Sequence, residues 1–182
     1  DAIPRALFQN DQLQRLVTDL WVSRRISAAP KRLQGRWDKG LDSAEVTSFP
    51  VGGAFWASCA RFLPGKKRSE VFEWQGRWFA LKCAEALRSA PDDTLFFGYD
   101  TGFLEAGELA KELGIRSVVC QMDPARFEVN LVREEAKRWP GWEREPVTIP
   151  ESYHQRRDKE WSVANRVMAV SYTHLTLPTK LA

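Results

Sequence analysis

The sequence predicts an α/β fold in which an open parallel sheet carries helices on both faces. Two observations lead to this prediction. Short apolar runs alternate with amphipathic segments of helical length, and residues 94–122 show the pattern of a strand, a helix and a second strand in direct succession. A helix between two strands of one sheet carries the chain back across a face, so the strands run parallel and the crossover is right-handed.

The start of the chain predicts a helix, a strand, a loop-rich stretch and a second strand. The apolar residues of the helix fall at roughly helical spacing and are Ile3, Leu7, Leu13 and Leu16. Residues 16–22 and 45–49 are the two strand candidates, separated by a polar, basic connection that contains Pro30, Gly35 and Gly40. Since no strand precedes the first helix, we expect that an N-terminal βα unit is missing from this sequence.

Two helices are predicted next, over residues 54–63 and 67–89. Pro64 and Gly65 separate them, because neither residue favours a continuing helix. The second helix has a broad apolar face made of Val71, Phe72, Trp74, Trp78, Phe79, Leu81, Cys83 and Ala86. We expect this helix to be buried over much of its circumference.

The clearest pattern begins at the strand predicted over residues 94–99. Asp100 or Thr101 is placed to cap the helix that follows. The apolar residues of that helix are Phe103, Ala106, Leu109, Ala110 and Leu113. Gly114 ends the helix, and residues 116–122 form the next strand.

The remaining pattern continues the alternation of helix and strand. Pro124 is tolerated in a first helical turn, and a charged helix is predicted over residues 126–139. A proline-punctuated connection then leads to a helix over residues 151–164 and a third parallel strand over residues 166–170.

Charge and cysteine content restrict the class of protein. The 27 basic and 24 acidic residues are interspersed, so we expect no nucleic-acid binding. The short basic clusters, including Arg156 with Arg157, are interpreted as solvated helix ends. The three cysteines are far apart among apolar neighbours, which is typical of buried free thiols in a reducing compartment. We therefore expect a cytoplasmic protein, with peripheral contact at a membrane left open.

The predicted functional residues follow the strands, because helix N-termini and strand-end loops meet at the carboxyl edge of a parallel sheet. These residues are Tyr99, Asp100, Gln121, Asp123, Arg126 and Glu128. Carboxylates accept hydrogen bonds from paired hydroxyls and a tyrosine ring stacks on a sugar, so the set suits a polyhydroxylated ligand. An alternative is that Asp100 and Asp123 only cap the helices that follow them. Helix capping and ligand binding can also coexist in one residue.

Several other chemistries are disfavoured. Neither G-x-G-x-x-G nor a P-loop motif occurs. His154 and His174 are the only histidines, and His154 is expected at an exposed surface position. The sequence therefore predicts no bound cofactor, no metal site and no histidine-based triad.

Three segments resemble the N-terminal domain of family 4-like glycosyltransferases of the two-domain GT-B architecture. They are Leu16-Val-Thr-Asp-Leu-Trp21, Val118-Val-Cys-Gln-Met-Asp-Pro124 and Glu160-Trp-Ser-Val-Ala-Asn-Arg-Val-Met-Ala-Val170. The third is the most specific, since it resembles the family's pattern of an acidic helix residue, an Ala-Asp-like pair and a hydrophobic strand. The resemblance implies a Rossmann-like lobe over residues 1–170 that binds a saccharide or lipid-linked acceptor.

The resemblance also has implications for the reaction. A second, C-terminal lobe would bind the nucleotide-sugar donor, so we expect this chain alone to be an inactive fragment. By position, Asp123 matches the acidic member of a His-Asp or His-Glu pair that the family often places after this strand. Met122 stands where the histidine would be, and Gln121 is the nearby group that can substitute.

Two further expectations concern the chain as a whole. Residues 171–182 lose every acid and arginine and resemble translated adapter or vector DNA, so they are predicted to be a non-native tail. The alternative to an enzyme fragment is a stand-alone Rossmann-like module that binds a small ligand or a protein without catalysis.

Overall fold

The computed structural model describes residues 2–22, 36–63, 65–122, 125–141 and 149–169. The chain divides into two compact units, residues 1–63 and residues 64–182. Each unit contains helices and one small parallel sheet, so the predicted α/β class is confirmed.

The described residues of the first unit form two α-helices, one short 3₁₀ helix at Lys39–Leu41 and a two-stranded parallel sheet. The α-helices and strands in chain order are α1 (Ala2–Gln9), β1 (Leu16–Thr18), β2 (Val46–Ser48) and α2 (Pro50–Phe62). The strands pair in parallel, with Leu16 opposite Val46. Helix α2 begins earlier than predicted, because Pro50 supplies a φ angle suited to a first helical turn and needs no N–H partner there.

Four helices and a three-stranded parallel sheet make up the part of the second unit that the structure describes. Its elements are α3 (Gly65–Leu87), β3 (Leu95–Tyr99), α4 (Leu104–Glu112), β4 (Arg116–Gln121), α5 (Arg126–Arg138), α6 (Glu151–Val163) and β5 (Arg166–Ala169). The strand order is β3-β4-β5, and both pairings are parallel. The predicted strands and helices of this region are therefore confirmed, and Gly114 has the expected positive φ of 72° after α4.

The pairing of the strands differs from the sequence prediction. One open sheet was expected, whereas the strands of the described residues form two separate sheets. Hydropathy identifies a strand but does not specify its partner, because pairing depends on contacts between residues far apart in sequence. Val170 and the suggested tail at 171–182 lie outside the described residues.

The core of the second unit lies around Phe103, which is completely buried. Its ring stacks on that of Phe96 with centroids 5.0 Å apart. A Cβ atom on Gly107 would lie 2.3 Å from the Phe103 ring, so the glycine gives this ring its space. Val119 and Cys120 of β4 are also fully buried.

Helix α3 buries only part of the predicted face: Val71 and Cys83 of that face are buried, whereas the other buried residues were not predicted. Its buried residues are mainly small and are Val71, Gly76, Ala80, Cys83, Ala84 and Leu87. The predicted face residues Trp74 and Leu81 are half-exposed, as is Phe72. Small side chains on a helix allow the backbone of a neighbouring segment to approach it closely. The size of a side chain therefore decides which residues of α3 are buried, as well as its hydropathy.

Gly76 provides a test of this close approach. A Cβ atom at this position would lie 2.3 Å from the carbonyl oxygen of Thr101. Helix propensity alone predicts that Gly76→Ala stabilises the protein by about 0.5–1 kcal/mol. We expect instead a loss of about 1–3 kcal/mol, because the methyl group overpacks a backbone contact.

The measurement is urea unfolding followed by circular dichroism, with Glu70→Ala as the control at an exposed position of the same helix. A Gly76→Ala variant as stable as the wild type would show that Thr101 moves away at little cost.

Candidate functional site

The carboxyl ends of the three parallel strands meet at one edge of the sheet. Tyr99 ends β3 and stands opposite Cys120, while Gln121 ends β4 and stands opposite Ala169. Tyr99 is 42% exposed, and Met122 just beyond β4 is 46% exposed. The structure thus places Tyr99 and Gln121 on neighbouring strands at the predicted edge.

The tyrosine is a neutral group at this edge. Burial of part of the side chain raises the pKa of Tyr99 above its usual value, and the nearby Cys120 raises it further. The hydroxyl therefore stays protonated near neutral pH and can both donate and accept a hydrogen bond. Its ring packs against that of Phe97 at an interplanar angle of 89°, with the centroids 5.6 Å apart, and the residue is partly exposed to solvent.

Asp100 follows Tyr99 and is held inside the protein by an arginine. Its carboxylate forms an ion pair with Arg157 of α6, and the two side chains are only 6% and 4% exposed. The Arg157 guanidinium also lies over the Tyr153 ring, 5.4 Å from its centroid. Asp100 is therefore engaged with α6, and it does not cap α4, whose first helical residue is Leu104.

Glu160 of α6 supplies the acceptors that the start of α4 needs. Its fully buried carboxylate accepts hydrogen bonds from the backbone N–H groups of Thr101 at 2.8 Å and of Phe103 and Leu104 at 3.2 Å. Burial raises the pKa of Glu160, and the N–H donors of Thr101 and Phe103 oppose that shift. The start of α4 is therefore capped by a side chain from a distant helix. The predicted capping residues, Asp100 and Thr101, do not supply this cap.

Arg156 of α6 also contacts the residues that connect β3 to α4. Its Nε donates to the Thr101 carbonyl at 3.0 Å, and its terminal nitrogens donate to both carboxylate oxygens of Glu105 at 2.9 and 2.6 Å. The Thr101 hydroxyl lies 2.9 Å from the Tyr153 hydroxyl. We call residues 100–103 the β3 loop.

The β3 loop has a conformation that needs such support. Thr101 has a φ of +71°, in the left-handed region that residues with a side chain rarely adopt. A strained residue persists where its surroundings determine it strongly, and here α6 contacts its N–H, carbonyl and hydroxyl groups. Tyr99 therefore stands beside a rigid loop.

The other predicted site residues have different surroundings. Arg126, at the start of α5, donates to Glu151 at 2.7 and 3.0 Å and to Asp158 at 3.1 Å. These contacts are half-exposed, and they raise the Arg126 pKa. Glu128 is exposed on the same helix. Asp123 lies outside the described residues.

Sequence reasoning missed the role of α6. Arg156 and Arg157 were expected at a solvated helix end, yet both are buried. His154 was expected to be exposed, yet it is buried as well. Burial and the charge of Arg126 lower the pKa of His154, which favours its neutral form. The helix itself was predicted, and the only sequence signal for the buried role of its side chains was the acidic residue Glu160 in the family-like segment.

The described residues contain no group of histidine, cysteine, aspartate and glutamate side chains that could hold a metal ion. The cysteines are free, and burial raises the Cys83 pKa to about 12, so this thiol is protonated near neutral pH.

No protein family, no curated protein and no solved structure matches this chain significantly.

Proposed function

We propose that this chain provides the acceptor-binding half of a glycosyltransferase, which moves a sugar from a nucleotide-sugar donor to a hydroxyl group of a saccharide or lipid-linked acceptor. The observation that carries the proposal is the partly exposed Tyr99 at the carboxyl end of β3, in a parallel sheet whose next strand ends at Gln121. Ligands of open α/β sheets bind outside the carboxyl ends of the strands.

The groups at this edge suit a carbohydrate. A sugar presents an apolar face of C–H groups and a rim of hydroxyls. The Tyr99 ring offers a flat surface for the apolar face. An amide such as that of Gln121 carries both donors and an acceptor, which matches hydroxyl groups that also do both.

Rigidity of the β3 loop adds to this argument. Binding is weakened when a loop has to become ordered around its ligand. The buried side chains of Arg156, Arg157 and Glu160 contact the loop from within the protein. These contacts support a fixed edge, as positioning of a reacting hydroxyl requires.

The family-like segment gains a physical meaning from the same contacts. Glu160 is the acidic helix residue of that segment, and its carboxylate caps α4 and orders the β3 loop. A segment that resembles a glycosyltransferase pattern thus stabilises the proposed acceptor edge. The proposal assigns acceptor recognition to these residues and donor recognition to a second lobe, so we expect binding by this chain without transfer.

Tyr99→Ala tests the proposed acceptor edge. Saturation-transfer NMR is recorded with the methyl glycosides of glucose, mannose, galactose and N-acetylglucosamine, and with myo-inositol. We expect the wild type to bind at least one of them, and Tyr99→Ala to bind it about 5- to 10-fold more weakly, because a stacked ring contributes about 1–1.4 kcal/mol.

Trp139→Ala is the matched control, since Trp139 is an exposed aromatic residue beyond the opposite end of α5. This variant should bind like the wild type. Absence of saturation transfer to every sugar, or equal binding by Tyr99→Ala, would contradict a carbohydrate site at this edge.

A further inference from the structure

Helix α2 of the first unit turns an apolar stripe outward. Val51, Phe55 and Phe62 are 84%, 58% and 80% exposed. Together with Ser58 they are spaced by four, three and four residues, so they share one face of the helix. Gly53, the buried residue of α2, lies on the opposite face.

This orientation is the reverse of the usual one. A surface helix normally buries its apolar stripe and exposes polar side chains. In α2 the two exposed phenylalanines project from the stripe, and the Phe55 ring packs edge to face on Trp56 at 5.2 Å. Large exposed aromatic residues on one face indicate a surface that binds something apolar.

Charge identifies what kind of partner fits this stripe. Helix α2 contains no acidic residue, and its Arg61 lies over the Phe62 ring at 5.9 Å from the centroid. In the sequence, residues 46–69 contain four basic residues and no acidic one. Three of the four, Lys66, Lys67 and Arg68, directly follow α2 in the chain.

We propose that α2 is a docking helix that lies on an anionic lipid surface. The Val51, Phe55 and Phe62 side chains would enter the boundary between headgroups and acyl chains, and Arg61 of the same helix would face anionic headgroups. The helix would lie in the plane of the surface, since 13 residues extend only about 20 Å. Among the described residues, no helix is both long and apolar enough to cross a bilayer.

An anionic lipid surface accounts for these features better than a second copy of the chain. Two copies paired through α2 would bring like charges together around an acid-free stripe, which opposes association. A lipid surface offers both an apolar layer and negative charge at the depth of one helix. The inference does not depend on the proposed sugar transfer.

The test is co-sedimentation of the full chain with vesicles of phosphatidylcholine alone and with vesicles of equal parts phosphatidylcholine and phosphatidylglycerol. We expect partitioning onto the mixed vesicles to be at least about tenfold stronger, and to weaken as salt is added. Phe55→Ser combined with Phe62→Ser should reduce it about tenfold or more, because the apolar contribution is lost.

Three further variants complete the experiment. Phe127→Ser is the matched control, since Phe127 is 71% exposed on α5 and should not affect vesicle binding. Replacing Lys66, Lys67 and Arg68 together with glutamine should abolish the preference for anionic vesicles. Tyr99→Ala should bind vesicles like the wild type, so failure at the sugar site and failure at α2 are distinguishable.

Several results would overturn the proposal. One is equal binding to both kinds of vesicle. Another is full binding by the double serine variant, with circular dichroism confirming that both proteins are folded. A third is self-association in sedimentation equilibrium that the double variant loses, since the stripe would then be an interface between copies of the chain.

Discussion

Arg157→Met is expected to lower the free energy of unfolding by about 3–5 kcal/mol, since removing one partner of a buried ion pair leaves the other charge uncompensated. That remaining charge is Asp100, whose side chain is 6% exposed. The substitution also removes the guanidinium from the face of Tyr153. Urea unfolding monitored by circular dichroism measures the loss.

A second variant separates the ion pair from simple packing. Combining Asp100→Asn with Arg157→Met removes both charges, so this double variant should regain much of the lost stability. Arg133→Met is the control, because Arg133 is exposed on α5. If Arg157→Met costs no more than Arg133→Met, the Asp100–Arg157 pair contributes little to the fold.

Glu160→Ala is expected to have an effect of similar size, about 3–5 kcal/mol, because three backbone donors at the start of α4 lose their acceptor. Glu160→Gln should cost less, since the amide keeps one oxygen acceptor but turns an NH₂ group toward an N–H donor. Glu108→Ala is the control at an exposed position of α4.

Hydrogen exchange distinguishes a local role from a global one. In Glu160→Ala, the amides of Thr101, Phe103 and Leu104 should exchange faster than in the wild type by more than the global loss of stability explains. Unchanged protection of these three amides would contradict the capping role of Glu160. Loss of sugar binding together with this protection would support the link between the cap and the acceptor edge.

Much of the second unit was predictable from the sequence. The apolar run of β3, the spaced apolar residues of α4 and the positive φ of Gly114 all follow from local preferences. Parallel pairing of β3 with β4 also follows, because a single helix separates the two strands. These features depend on residues close together in the chain.

The buried face of α3 could not be predicted in the same way. Hydropathy favoured the large residues Trp74 and Leu81, but α3 buries Gly76 and Ala80 instead. The difference arises because Gly76 leaves room for the Thr101 backbone. A periodic pattern ranks residues by hydropathy and contains no information on how closely another segment approaches.

Local sequence patterns predict the alternation of strands and helices, the parallel direction of the strands in the second unit, and the positions of Tyr99 and Gln121 near strand ends. Tertiary structure alone decided that Asp100 is engaged by Arg157, and that Glu160 caps a helix 56 residues away at Leu104. The physical reason is that local backbone preferences act over a few residues. Burial of a charge is tolerated only where a distant partner meets it, and folding alone brings such partners together.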